Sequence, residues 1–215
     1  MPDSHSKSIA GPLADILRDS AQIWRGSETA HPKTLPTGFP GLDARLPGGG
    51  WPIGTLVEIV PACEGLGELS LCLPLLAALC RDGRRAAFVA PPHIPYAPAL
   101  QRAGLPLDSI LWVDAAREED ARWSAEQLLR DGQTGAVLLW TAVDDERLLR
   151  RLQLAAETGR ALAFLYRPSS TLRKASPAAL RIALHPDGDH TRADLIKVRG
   201  GHPGSLTLPL VPILT

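Results

Sequence analysis

Residues 55–76 read TLVEIVPACEGLGELSLCLPLL, a strand-like run, a glycine-containing loop and an apolar stretch of helical character. That order could build a phosphate-binding loop, G-x-x-x-x-G-K-[ST]. In such a loop backbone N–H groups cradle phosphate, a lysine reaches the outer phosphates and a hydroxyl holds magnesium. With Gly67 as the second glycine, the first-glycine position is Ala62, the lysine position is Glu68 and the hydroxyl position is Leu69, and Gly65 lies between. Of the four chemical requirements only Gly67 survives. The lysine position matters most because its charge is reversed. A unit-charge pair ~4 Å apart is worth on the order of 4 kcal/mol at an effective dielectric near 20, and glutamate turns that attraction into repulsion against a polyanion. Leu69 offers magnesium no oxygen. Glu68 is expected instead in the first turn of the following helix, where a carboxylate suits the macrodipole and satisfies orphan N–H groups. The protein would then carry its own anion at the phosphate position. The plainer alternative is a strand-turn-helix with a well-placed glutamate, and both readings expect no bound ATP and no cofactor.

Other reactive residue types do not assemble into a site. Cys63, Cys72 and Cys80 fall in one stretch with apolar neighbours and no CxxC pair, which reads as buried thiols of a reducing compartment rather than zinc ligands. The six histidines form no metal-ligand cluster. His93 follows a strand and could act as a base, with an ordinary loop histidine as the plainer alternative. Asp144 and Asp145 are placed to cap the next helix.

The elements that must position these residues follow from periodicity. Strands are predicted at 55–60, 86–90, 110–113, 135–140 and 161–166. Helices are predicted at 69–81, 97–103, 120–130 and 144–158. Pro74 should kink the first of these or shift its start. Trp123, Leu128 and Leu129 are expected to face inward, and Gly159 to act as a C-cap. Short apolar strands alternating with helices imply an α/β fold, a mostly parallel twisted sheet covered on both faces. Segments 180–184, 193–198 and 205–211 read as strands without intervening helices, the last two as an antiparallel hairpin. Residues 1–34 divide into a polar start, a short helix carrying Leu13, Ile16, Leu17 and Trp24, and a linker with Pro32; residues 35–215 form the core. The 215 residues, 45% hydrophobic and of zero formal net charge, suit one cored domain and disfavour a globally basic nucleic-acid binder. No signal-peptide core and no membrane-length apolar run are apparent, so the expectation is a soluble cytoplasmic protein.

From residue 35 the order TG (37–38), GLD (41–43), GGG-W-P (48–52), V-E-I (57–59) and glycine loop resembles the entry to the RecA ATPase core. That resemblance implies a catalytic glutamate after the second strand, where Pro92 stands, and a metal-linked aspartate ending a later strand, where Trp140 stands. The chain thus resembles a RecA-like core with an erased nucleotide site and no catalytic residues. The phrases GLGELSL (65–71), APPHIPYAPAL (90–100), RLQLAAETGRA (151–161) and RGGHPG (199–204) are similar to the ImuA family. A shorter likeness to the cell-division inhibitor SulA runs from GLPL (104–107) to FLYRP (164–168).

The ImuA resemblance implies a non-catalytic accessory role in SOS-induced, mutagenic translesion DNA repair. It implies contact with ImuB, a polymerase-like protein, and with RecA, and indirect work with an error-prone C-family DNA polymerase. The alternative is a SulA-like inhibitor of the division protein FtsZ. Candidate contacts are Leu13, Ile16, Leu17 and Trp24 as helix-in-groove anchors. The loop bearing Arg167, Arg173 and Lys174 is a candidate for weak phosphate contact with DNA or for none. Lys197 and Arg199 match a basic pair that reaches a neighbour's nucleotide in RecA filaments.

Overall fold

The computed structural model describes residues 33–142 and 144–210. The N-terminal helix with Leu13, Ile16, Leu17 and Trp24 lies outside the described residues. What was read as the end of a linker pairs instead. β1 (Thr34–Leu35) runs antiparallel to β2 (Trp51–Pro52) in a small two-stranded sheet. Between them, α1 (Pro40–Asp43) carries the GLD residues. Asp43 accepts the Thr37 N–H at 2.8 Å, and the Thr37 hydroxyl accepts the Phe39 N–H at 3.0 Å. The TG and GLD pairs are therefore two halves of one turn.

The large sheet has eight strands in the order β10-β9-β8-β3-β7-β6-β4-β5. They are β3 (Leu56–Pro61), β4 (Arg85–Val89), β5 (Ile110–Val113), β6 (Thr134–Trp140), β7 (Leu162–Tyr166), β8 (Leu180–Asp187), β9 (His190–Val198) and β10 (Gly204–Leu208). Pairings from β8 through β5 are parallel; β8–β9 and β9–β10 are antiparallel. The fold is thus mixed α/β with a mostly parallel sheet flanked by helices, and the expected C-terminal hairpin is present. A second hairpin, β8–β9, turns at Gly188-Asp189 with Asp187 opposite His190, and was not foreseen. Among the described residues no helix is long and apolar enough to cross a membrane.

Strand alternation splits the apolar residues between two faces. Val57, Ile59, Phe88, Leu138 and Phe164 pack under α2 (Leu73–Arg81) and near α3 (Ala97–Arg102). Leu56, Ala87, Val137, Leu139 and Leu165 pack under α4 (Glu118–Arg130) and α5 (Glu146–Gly159). Gln153 of α5 fastens the start of the central strand by accepting the Leu56 N–H and donating to the Gly54 carbonyl.

α2 begins at Leu73 rather than 69, the shift of start expected of Pro74, which at its second position has no N–H and a ring that excludes a full turn before it. Two expectations are corrected. Trp123 faces outward and is 63% exposed; the arc of α4 that meets the sheet is Ala121, Ala125 and Leu129. The left-handed C-cap of α5 is Arg160, at φ 50°. Gly159 serves a different need, since a Cβ there would lie 1.9 Å from the Leu129 carbonyl oxygen of α4.

Candidate functional site

β3, β7 and β6 run parallel and end together at Pro61, Tyr166 and Trp140. The glycine loop leaves β3 at this edge, the usual place for a ligand crevice in an α/β sheet. Gly65 and Gly67 both take positive φ, 81° and 75°. The loop is tied down beyond its own residues. Ala62 N–H donates to the Leu184 carbonyl, and the Thr191 hydroxyl donates to the Leu66 carbonyl.

Glu68 precedes α2 by a full irregular turn, in which Leu71 N–H reaches Gly67 and Cys72 N–H reaches Leu69. It is therefore not in the first helical turn, a second consequence of Pro74. Its Oε1 folds back instead to accept the Gly65 N–H at 3.4 Å. Leu69 packs against the core, as does Leu66.

The floor beside the loop is aromatic. Trp140 stacks on Tyr166 with centroids 4.5 Å apart and rings within 9° of parallel, and Phe88 continues the stack at 6.4 Å. The Tyr166 hydroxyl donates to the Glu68 carbonyl at 3.2 Å and lies 3.4 Å from the Cys72 sulfur. Burial pushes the Cys72 thiol up to about 12 and the Tyr166 hydroxyl well above its ordinary value. Both therefore stay protonated at neutral pH, where neither is a nucleophile nor a base. His93 stands at the rim, 3.4 Å from Glu64 with both side chains largely open to water. Pro92 is exposed beside it. Among the described residues no group of three or more His, Cys, Asp or Glu is arranged to hold a metal. The exposed thiol is Cys63, whereas Cys72 and Cys80 are buried.

A second constellation was not foreseen. Glu58, in the middle of β3 and wholly buried, accepts Arg167 at 2.7 Å, Arg181 at 2.6 Å and the Ser176 hydroxyl at 2.5 Å. Arg167 also reaches Asp144 at 2.8 Å, and Lys174 pairs with the other Asp144 oxygen. The Lys174 hydrogen bond, aided by Arg167, holds the Asp144 carboxyl below its usual range. Arg181 closes the network by donating to the Thr171 and Lys174 carbonyls. A carboxylate within an apolar strand and an arginine within another are the signal for such a network, because buried charge demands a partner.

This network corrects the surface reading of the loop after β7. Arg167 turns inward, Lys174 is engaged with Asp144, and Arg173 remains exposed. Lys197 donates to the Ser176 carbonyl and Arg199 to the Pro177 carbonyl, so both brace the same segment. Asp145 caps α5 by accepting the Arg147 N–H, as expected; Asp144 does not cap.

Residues 54–163 match the family described as cell division inhibitor SulA. The chain belongs to the SulA family. It is also similar to Protein RecA of Colwellia psychrerythraea, 30% identical over 146 residues, which cover 65% of this chain and 41% of that one. Protein RecA of Haemophilus ducreyi is 29% identical over 142 residues, covering 64% and 38%. The chain spans about two fifths of the length of these curated relatives. The crystal structure of SulA from Pseudomonas aeruginosa is 27% identical over 53% of this chain and 98% of that one, with a TM-score of 0.46.

Proposed function

We propose that this SulA-family chain is a non-catalytic, RecA-derived accessory protein of SOS-induced translesion synthesis, acting through protein contacts in the cytoplasm. The observation that carries the reading is the Glu68 carboxylate turned onto the Gly65 N–H. A triphosphate approaching that loop meets a like charge in place of a lysine. The Trp140–Tyr166 stack supports the same reading, because a side chain without oxygen occupies the metal-linked position. The RecA relatives support descent from a nucleotide-dependent core. Two segments lie beyond the SulA match, the RecA-like entry at 37–52 and the ImuA-like phrase at 199–204, and they favour partnership with an ImuB-type protein and with RecA.

A second reading is supported about equally. The family match itself favours a SulA-like inhibitor of cell division whose partner is FtsZ. Purified full-length chain tested against ImuB, RecA and FtsZ separates the two: retention of ImuB or RecA but not FtsZ is expected, and retention of FtsZ alone reverses the choice. Calorimetry with Mg-ATP is expected to give no binding heat. Saturable ATP binding by the unaltered chain would return it to the nucleotide enzymes.

A further inference from the structure

At the end of the sheet opposite the glycine loop, a small cleft of about 80 Å³ opens where β3 and β8 begin and β9 ends. A water needs roughly 10–15 Å³ of such space, so the cleft has room for several waters or for one aliphatic side chain in their place. Its walls are apolar: Leu46 and Pro47 from the turn after α1, Pro52 of β2, Leu180 of β8 and Val198 of β9. The turn 199–204 lies against one wall, since a Cβ at Gly201 would stand 2.8 Å from Val198 and 3.0 Å from Pro47. The rim is cationic. Arg199 lines the cleft, is exposed, and donates through Nη2 to the Pro177 carbonyl at 2.9 Å. Arg45, next to Leu46, is exposed as well and reaches the far end of the same turn, its Nη1 3.0 Å from where a Cβ at Gly204 would stand.

Among the described residues no Asp or Glu lines this cleft, and Asp43, the acid of α1, is taken by the Thr37 N–H. Burial, with Arg199 and Arg181 nearby, holds Lys197 below its ordinary range, so positive charge is crowded on this side of the molecule. A nucleic acid would ask for an aromatic platform on which to stack a base, and none of the lining residues is aromatic. An apolar hollow under a guanidinium rim is complementary to an aliphatic side chain flanked by carboxylates. We propose that this cleft docks an acidic peptide segment of another protein, seated by one aliphatic side chain between Leu46, Pro47 and Val198 and oriented by carboxylates on Arg45 and Arg199. Of the lining residues only Thr55 falls within 54–163, so the cleft is built almost wholly from residues outside the SulA match. This inference is independent of the choice between ImuB and FtsZ as partner.

The test is fluorescence anisotropy of the full-length chain with a labelled peptide, Glu-Glu-Asp-Leu-Glu-Glu. Saturable binding that added salt weakens is expected. Serine in place of the peptide's leucine should weaken it about tenfold, and the reversed-charge peptide Lys-Lys-Asn-Leu-Lys-Lys should not bind. Arg199→Glu and Arg45→Glu are each expected to weaken binding about tenfold or more, with folding checked by circular dichroism. Arg173→Glu, on the exposed loop after β7, should leave it unchanged. Arg45→Glu alters an exposed side chain, so it decides the matter if Arg199→Glu does not fold. Absence of saturable binding overturns the proposal, as does a serine peptide held as tightly as the leucine one, or binding indifferent to Arg45→Glu. An oligothymidylate that displaces the peptide and binds more tightly also overturns it, because the rim would then serve nucleic acid.

Discussion

One carboxylate, Glu58, holds two guanidinium groups inside the sheet, and its value lies in what its removal would strand. Deleting one member of a buried ion network leaves the others charged and unpaired, which costs about 3–5 kcal/mol. Glu58→Ala is therefore expected to unfold at markedly lower denaturant than wild type, whereas Lys174→Ala, acting on exposed groups, should move the midpoint little. Equilibrium urea denaturation of the two variants checks the contrast. The buried thiol makes a different prediction. Cys72 in the folded chain is pushed to about 12, from 9.0 in an open chain. A folded value above the unfolded one means its stabilising contribution is complete below about pH 9 and is lost as pH rises toward 12. Tyr166 is shifted in the same direction. Stability should therefore fall steeply on the alkaline side, and Cys72→Ala should flatten the first part of that fall. In native protein a thiol reagent should modify Cys63 fast and the buried pair only on unfolding.

At the scale of elements, the helix pair α4–α5 is governed by one close approach. With its Cβ aimed 1.9 Å from the Leu129 carbonyl, Gly159→Ala must drive the helices apart, at a cost of roughly 1–3 kcal/mol. Arg160→Gly, one residue on, relieves a left-handed non-glycine residue and is expected to be neutral or mildly stabilising. Thermal melts of both variants would expose the reversal of roles. Sequence alone pointed to Gly159 but for the wrong reason, because a C-cap is visible in local pattern and a tertiary contact is not. The same divide runs through the rest. All eight strands of the large sheet and four of its helices were legible in outline from periodicity, as was the shift in α2 that Pro74 imposes. The β8–β9 hairpin was hidden by Pro186 and a polar tip, HPDGDH, where alternation fades. Glu68 was expected in the first helical turn, and its contact with Gly65 was not legible because it depends on where the helix starts. Trp123 was misplaced because an aromatic residue in an amphipathic helix reads as core unless its angular position is compared with Ala121 and Ala125.

For the whole molecule, the positions of the glycine loop and the ion network have a common cause. Both hang on β3, the strand flanked by β7 on one side and β8 on the other. The loop leaves its end, and Glu58 sits at its middle, facing the segment that joins β7 to β8. The antiparallel β8–β10 portion is stitched to the loop by Thr191 and Leu184. Loosening that portion should therefore be felt at Glu68 before it is felt at β5, on the opposite edge. Hydrogen exchange of Thr191→Val is expected to show faster exchange at residues 62–67 with protection of β4 and β5 unchanged.

The pairing of β3 with strands more than a hundred residues downstream also bears on how the chain comes off the ribosome. Val57 meets Phe164 and Leu180 in the finished sheet, so the run Leu56-Val57-Glu58-Ile59-Val60 is synthesised long before either neighbour exists. An apolar β-prone segment left waiting is prone to pair with other nascent chains, and a charge in its middle discourages that. Glu58 thus has two lives: a guard against aggregation while the strand is naked, and the ligand of Arg167 and Arg181 once they arrive.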